Sequence, residues 1–305
     1  MALNIIFMGT PEFAVPILKK IYDSEHTIEE VYTKPPKKKN RGQKLEISPI
    51  NKFCEENKIK VRLPTSINEL ECEHIKKINP DVVVVVAYGL ILPKELLDTT
   101  NIRFINIHAS LLPKWRGAAP IQRAIMNLDQ ETGISIIKIV PKLDAGPVMM
   151  KSKIKIFKDT NYTELSKQMS DLASKMIVET LKILENNEEE FINQNETEAT
   201  YAEKISKEES KIKWNEDAKE IIARINALKP NPGSWFELNN LRIKVLKAVE
   251  VNSKGKPGEV IDNNFTIACS NNAIRVIELK KEGKSKMSAN EFLRGNPLNK
   301  GTVIK

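Results

Sequence analysis

The sequence predicts an α/β sheet domain followed by a smaller all-β module. Three observations carry this. An apolar run at Leu3–Met8 is ended by Gly9, Thr10 and Pro11 and leads into an amphipathic stretch; five consecutive valines stand at Val82–Val86; and beyond residue 206 the texture changes to short alternating runs punctuated by Gly, Asn and Pro. The division reads as a domain over residues 1–189, a linker over 190–206 and a second domain over 207–305.

Taken in order, Leu3–Met8 is a strand, the following turn closes it, and Glu12–Tyr22 is a helix. The valine run follows a polar lead-in, Asn79-Pro80-Asp81, and has no polar alternation, as expected of a central parallel strand buried on both faces. Phe104–His108 and Gly133–Val140 are further strands, with a helix near Pro120–Leu128 between them, and Thr160–Asn186 is one long helix that closes the domain. The stretch that follows, rich in Glu, Asn, Gln and Thr, has no apolar period and marks the linker. Then come a helix near Glu216–Leu228 ended by Pro230 and Pro232, and the alternating runs LRIKVLKAVEV, TIACS and AIRVIEL of a small barrel or sandwich.

Composition narrows the function. The longest apolar run, Val82–Leu92, has 11 residues against the roughly 20 of a membrane span, and the N-terminus lacks a basic segment and a cleavage site, so a cytoplasmic location is expected. Cys54, Cys72 and Cys269 are scattered, which supports neither a disulfide framework nor a zinc site. The net charge is +8, and residues 207–305 hold 19 Lys and Arg against 12 Asp and Glu. A second basic cluster, Lys34, Lys37, Lys38, Lys39, Arg41 and Lys44, lies in a stretch with Pro35, Pro36 and Gly42 that reads as an exposed loop. Two basic surfaces on one chain point to a polyanion, nucleic acid first, because Lys and Arg gain affinity by displacing counterions from phosphates. No coiled-coil heptad argues for assembly, and a monomer is expected.

The chemistry has few candidates. His26 and His74 sit among charged residues and read as surface groups, whereas His108 ends the strand FINIH at the sheet-to-loop junction where open α/β sheets bind ligands. Asn106, two residues earlier, faces the same way by strand geometry. Asp144, in PKLDAG, follows another strand; if the two strands lie close, a carboxylate, an imidazole and a carboxamide share one pocket. Asn106 and a protonated His108 can then hold a developing oxyanion, while Asp144 holds the imidazolium and accepts protons. No nucleophile elbow accompanies Ser110 and Cys54 has no basic partner, so two bound substrates should react directly. GTPEFA lacks both a dinucleotide glycine motif and a Walker lysine, and there is neither H-E-x-x-H nor an acidic cluster, so neither an NTP nor a metal is expected.

The block INIHASLLPKWRGAAPIQRAI at 105–125, with VVAYGLILP at 85–93 and LDAG at 143–146, resembles the folate-dependent formyltransferases. Further collinear blocks extend the likeness over essentially the whole chain, in particular to members that act on charged initiator tRNA: IIFMGTPEFA at 5–14, RGQKL at 41–45, TYAEKISKEESKIKW at 200–214 and KMSANEFLRG at 286–295. The resemblance implies a Rossmann-like, mostly parallel sheet with helices on both faces, binding 10-formyltetrahydrofolate, and a C-terminal OB-like β-barrel that helps hold tRNA. It implies Asn106, His108 and Asp144 as catalytic residues. Folate contacts are implied at Ser110, Leu111, Leu112 and Pro113 and at Tyr88, Gly89, Leu90 and Ile91, and tRNA contacts at Lys37, Lys38, Lys39, Arg41 and Lys44. The chain departs from the pattern at Asn226, where an arginine is expected, and in the Pro-Pro and triple-lysine make-up of the basic loop. Rival readings are formyl transfer to a nucleotide sugar or to glycinamide ribonucleotide, hydrolysis of the formyl donor, and a non-catalytic RNA-binding protein. The last does not explain why Asn106, His108 and Asp144 occur together.

Overall fold

The computed structural model describes residues 2–39 and 44–304. Packing divides it into two units that interleave along the chain: residues 1–117, 132–154 and 166–201 form one, and residues 118–131, 155–165 and 202–305 the other. Two stretches inside the expected N-terminal domain therefore pack with the C-terminal unit.

The first unit is built on a seven-stranded sheet. In chain order its strands are β1 (Asn4–Gly9), β2 (Thr27–Tyr32), β5 (Val61–Arg62), β6 (Val82–Val86), β7 (Arg103–His108), β9 (Glu131–Lys138) and β10 (Val148–Lys155). Across the sheet they run β10-β9-β7-β6-β1-β2-β5, which puts the valine strand in the middle, with all five side chains buried. A strand covered on both faces has no use for polar alternation, which is why the run is unbroken. Pairing is parallel from β7 through β5, with Phe7 opposite Val84 and Val84 opposite Ile105, while β9 runs antiparallel to β7. Helices α1 (Val15–Tyr22), α2 (Pro49–Glu56), α3 (Glu69–Ile78), α4 (Lys94–Leu97) and most of α6 (Tyr162–Asn186) belong to this unit, as does the short strand β8 (Arg116–Gly117). Ser48 caps α2 and Asn68 caps α3 by accepting from backbone N–H groups, and Asn79 ends α3 at φ 53°.

The basic stretch that reads as a loop has structure of its own. Strands β3 (Lys37–Lys39) and β4 (Lys44–Glu46) pair antiparallel, Lys37 opposite Glu46 and Lys39 opposite Lys44. The prolines that signal a loop precede this hairpin; Arg41 and Gly42 lie outside the described residues. His74 is also more than a surface group, since its Nε2 lies 2.8 Å from Oε2 of the fully buried Glu30. His26 accepts the Leu3 N–H through Nδ1.

In the second unit α5 (Pro120–Met126) packs on α7 (Ala218–Leu228), and Arg123 pairs with Glu209 at 2.5 Å. The α5 turns bury Pro120, Ile121, Ala124 and Ile125, which groups this segment with the C-terminal residues despite its place in sequence. Asp217 begins α7 with a reciprocal capping box to Glu220. The segment ending in the short strand β11 (Tyr201–Ala202) precedes an antiparallel sheet of β12 (Ser234–Leu238), β13 (Leu241–Val251), β14 (Thr266–Ala268), β15 (Ala273–Lys281) and β16 (Lys286–Ser288), followed by α8 (Ala289–Gly295). The order is β12-β13-β15-β14, with β16 also on β15. Its core gathers Trp214, Phe236, Phe265 and Phe292, the last two stacked at 5.5 Å between ring centres. Among the described residues no helix is long and apolar enough to cross a membrane.

Candidate active site

The site forms where β7 ends. Strand alternation buries Ile105 and Ile107 in the sheet and sends Asn106 and His108 the same way. β9 runs antiparallel beside β7 and ends with Lys138 opposite Ile105, and the loop that follows brings Asp144 back to Asn106 and His108. The turn is tight. A Cβ on Gly146 would stand 1.7 Å from the Lys138 carbonyl oxygen, so residue 146 must be glycine for the loop to close on β9. Asp144 itself sits at φ 49°, a left-handed conformation that costs a non-glycine residue roughly 1–2 kcal/mol and persists only where neighbours enforce it.

The three side chains meet through the Asp144 carboxylate. Asn106 Nδ2 donates to Oδ1 at 3.2 Å, the Gly117 N–H donates to Oδ2 at 2.8 Å, and His108 Nδ1 lies 3.5 Å from Oδ2. His108 is 6% exposed, and its Nε2 donates to the Trp115 carbonyl at 2.8 Å. Since a carbonyl only accepts, Nε2 carries a hydrogen, and Nδ1 is the nitrogen turned to Asp144. Both imidazole nitrogens thus face protein partners, whereas the Asn106 amide has a second hydrogen left to offer. The sequence expects Asn106 and His108 to share the oxyanion and Asp144 to hold the imidazolium; here His108 Nδ1 faces the Asp144 carboxylate.

The loop after β7 is fixed from below. Ser135 Oγ donates to the Ser110 carbonyl at 2.7 Å and accepts the Leu112 N–H at 3.0 Å, and Ser110 Oγ donates to the Lys114 carbonyl at 2.6 Å. The Ser110 and Leu112 side chains are therefore turned into the protein, Leu112 packing with Ile137 and Val148, while Leu111 and Pro113 remain half-buried. Lys151 reaches the Leu112 carbonyl, and burial pushes its ammonium below the usual lysine range. In the other expected folate segment Tyr88 is buried, Leu90 half-buried, Gly89 exposed at φ 74° and Ile91 89% exposed. Thr10, from the turn after β1, donates to the Tyr88 carbonyl at 3.1 Å. Of the basic residues, Lys37 is exposed on β3; Lys38, Lys39 and Lys44 lie on the hairpin strands.

Sequence reasoning missed Gln194, Arg116 and Glu196. They come from the motif KWRG and from the stretch that reads as linker, and neither shows a period or a motif that would single them out. Arg116 is fully buried, with Nη2 2.8 Å and Nη1 3.1 Å from the two Glu196 oxygens and Nε and Nη2 at 3.1 and 2.9 Å from Gln194 Oε1. Donors from Arg116 and Lys142 hold the Glu196 carboxyl down at about 2.

The chain belongs to the formyl transferases: the formyl transferase domain matches residues 3–181 and the formyl transferase C-terminal domain residues 204–297, a mostly parallel sheet domain followed by an antiparallel one. The chain is 49% identical to the methionyl-tRNA formyltransferase of Pelagibacter ubique over 100% of this chain and 99% of that one, and 42% identical to that of Paramagnetospirillum magneticum over 99% and 100%. It belongs to the methionyl-tRNA formyltransferases within that family. In fold it is similar to an N-formyltransferase from Helicobacter canadensis solved with folinic acid and dTDP-3-aminofucose, with a TM-score of 0.68 and 20% identity over 92% of this chain and 100% of that one.

Proposed function

We propose that this protein moves the formyl group of 10-formyltetrahydrofolate to the free α-amino group of initiator methionyl-tRNA, giving N-formylmethionyl-tRNA for translation initiation. The observation that carries the reading is the convergence of Asn106 and His108 on the Asp144 carboxylate, within 3.5 Å, in a chain of this family. Folate would lie along Tyr88–Ile91 and Ser110–Pro113. The exposed Gly89, with the Lys34 side chain beside it, and the apolar surface of Ile91 fit a flat ring read through main-chain groups and an apolar contact. When bound, the folate supplies an activated formyl carbon.

The residues divide the remaining work. Asn106 offers its second amide hydrogen to the formyl oxygen as negative charge develops there. Asp144 accepts the proton of the attacking amine and passes it, through a water, toward the departing folate nitrogen; a carbon–nitrogen bond to the amine forms as the bond to folate breaks. His108, fixed by Trp115, orients Asp144 and, when both its nitrogens carry hydrogens, adds positive charge beside the site. The basic stretch Lys37, Lys38, Lys39, Arg41 and Lys44, together with the basic C-terminal residues 207–305, would engage tRNA phosphates, while residues 1–189 carry folate and chemistry. The protein would act as a monomer in the cytoplasm.

The test is formyl transfer from 10-formyltetrahydrofolate to charged initiator tRNA beside charged elongator methionyl-tRNA. Transfer confined to the initiator is expected. Cleavage of the folate with no formylated tRNA would overturn the reading in favour of a hydrolase or another amine acceptor.

A further inference from the structure

We infer that Gln194 is a positioning residue for the reaction, holding the Asp144 turn by its side-chain amide while the buried Arg116, paired with the exposed Glu196, holds Gln194. Its Nε2 donates to two carbonyls of that turn, Asp144 at 2.8 Å and Gly146 at 2.7 Å, so both amide hydrogens are committed to the residue with left-handed backbone and to the glycine two places on. Its Oε1 accepts from Arg116 Nε and Nη2, and Arg116 Nη1 and Nη2 each also donate to Glu196. Arg116 is the largest fully buried side chain of the protein among the described residues, and an ion held without exposure is retained only where its donors are all occupied.

The chain of contacts reaches the chemistry by a second route. Gly117, the neighbour of Arg116, gives its N–H to Asp144 Oδ2, so the peptide that follows the arginine holds the carboxylate while Gln194 holds the backbone beneath it. Residues 194–196, compositionally a linker, thus fix the backbone angle from which the Asp144 carboxylate meets Asn106 and His108. A displacement of the order of 1 Å at such a group can lower turnover by about a hundredfold.

The kinetic part of the test rests on the proposed formyl transfer; a second readout does not. Gln194→Glu keeps the oxygen that Arg116 needs and removes both donors to the turn. Gln194→Met removes the donors without adding charge. Each variant should lower kcat about tenfold or more while leaving the Michaelis constants for tRNA and folate within about twofold, and in an Asp144→Asn background Gln194→Glu should add less than about a twofold loss, because it acts through Asp144. Independently of activity, hydrogen exchange at the Gly117 amide should quicken about tenfold or more in Gln194→Glu, since the acceptor it faces is no longer held. A normal kcat in either single variant, losses that multiply with Asp144→Asn, or an unchanged Gly117 exchange would overturn the inference. If the wild-type protein failed to formylate methionyl-tRNA, the functional reading would fall and the Gly117 exchange alone would decide the role of Gln194.

Discussion

Replacing Asp144 with Asn is the perturbation whose outcome the geometry fixes most closely. The carboxylate has two oxygens with separate duties: Oδ1 accepts from Asn106 at 3.2 Å, and Oδ2 accepts from Gly117 at 2.8 Å beside His108 Nδ1 at 3.5 Å. An asparagine has one acceptor oxygen. If that oxygen stays on the Gly117 N–H, its amide group faces the Asn106 amide, donor against donor. Asn106 must then flip and offer its oxygen, which removes the hydrogen meant for the formyl oxygen. The group that accepts the amine proton is gone as well. Loss of general acid–base catalysis alone lowers turnover by at least about a hundredfold, about 2.7 kcal/mol of transition-state stabilisation. The exchange is nearly isosteric, so tRNA affinity should stay within about twofold of wild type. Steady-state kcat and tRNA binding by filter retention measure both. Turnover within about threefold of wild type would refute the assignment of Asp144.

Three further outcomes follow from the same structure. Neutral replacements of Lys37, Lys38 and Lys39 should raise the Michaelis constant for tRNA and not that for folate, and should flatten the salt dependence of tRNA binding by about one unit of slope for each phosphate no longer engaged. The Glu196 carboxyl, lowered from 4.5 to about 2 by donors from Arg116 and Lys142, contributes stability above its unfolded value that is lost as pH falls through the folded one; the gap in melting temperature between wild type and Glu196→Gln should be full at about pH 6 and close toward pH 2. Asp217→Ala removes the cap that accepts the Lys219 N–H at 2.9 Å and leaves a capping box undone, so denaturant unfolding should show about 1 kcal/mol of destabilisation with kcat unchanged.

Much of this architecture is legible in the residues because the physics behind it is local. Five valines in a row state that both faces of β6 are covered, and the two-residue period of β7 puts Asn106 and His108 on one side. The meeting of Asp144 with them is one step less local, since it depends on β9 lying next to β7 and running against it, which no window of sequence contains. The hairpin at Lys37–Lys39 and Lys44–Glu46 reads as loop because three-residue strands are too short to show alternation and the prolines before them signal a turn. The packing of α5 on α7 is hidden for another reason: an apolar helix face does not say which partner covers it. Gln194 is the least legible of all. It stands in a polar stretch without periodicity, and only the fold brings it within 2.8 Å of the Asp144 carbonyl.

The central claim is that the Asn106, His108 and Asp144 cluster performs formyl transfer to the methionyl amine. Single-turnover transfer of labelled formyl from 10-formyltetrahydrofolate to saturating charged initiator tRNA, with wild type beside His108→Ala, tests it most directly. The account predicts rapid formation of N-formylmethionyl-tRNA by wild type and a loss of about a hundredfold or more in the variant, with tRNA still bound. Equal rates for the two proteins would contradict it.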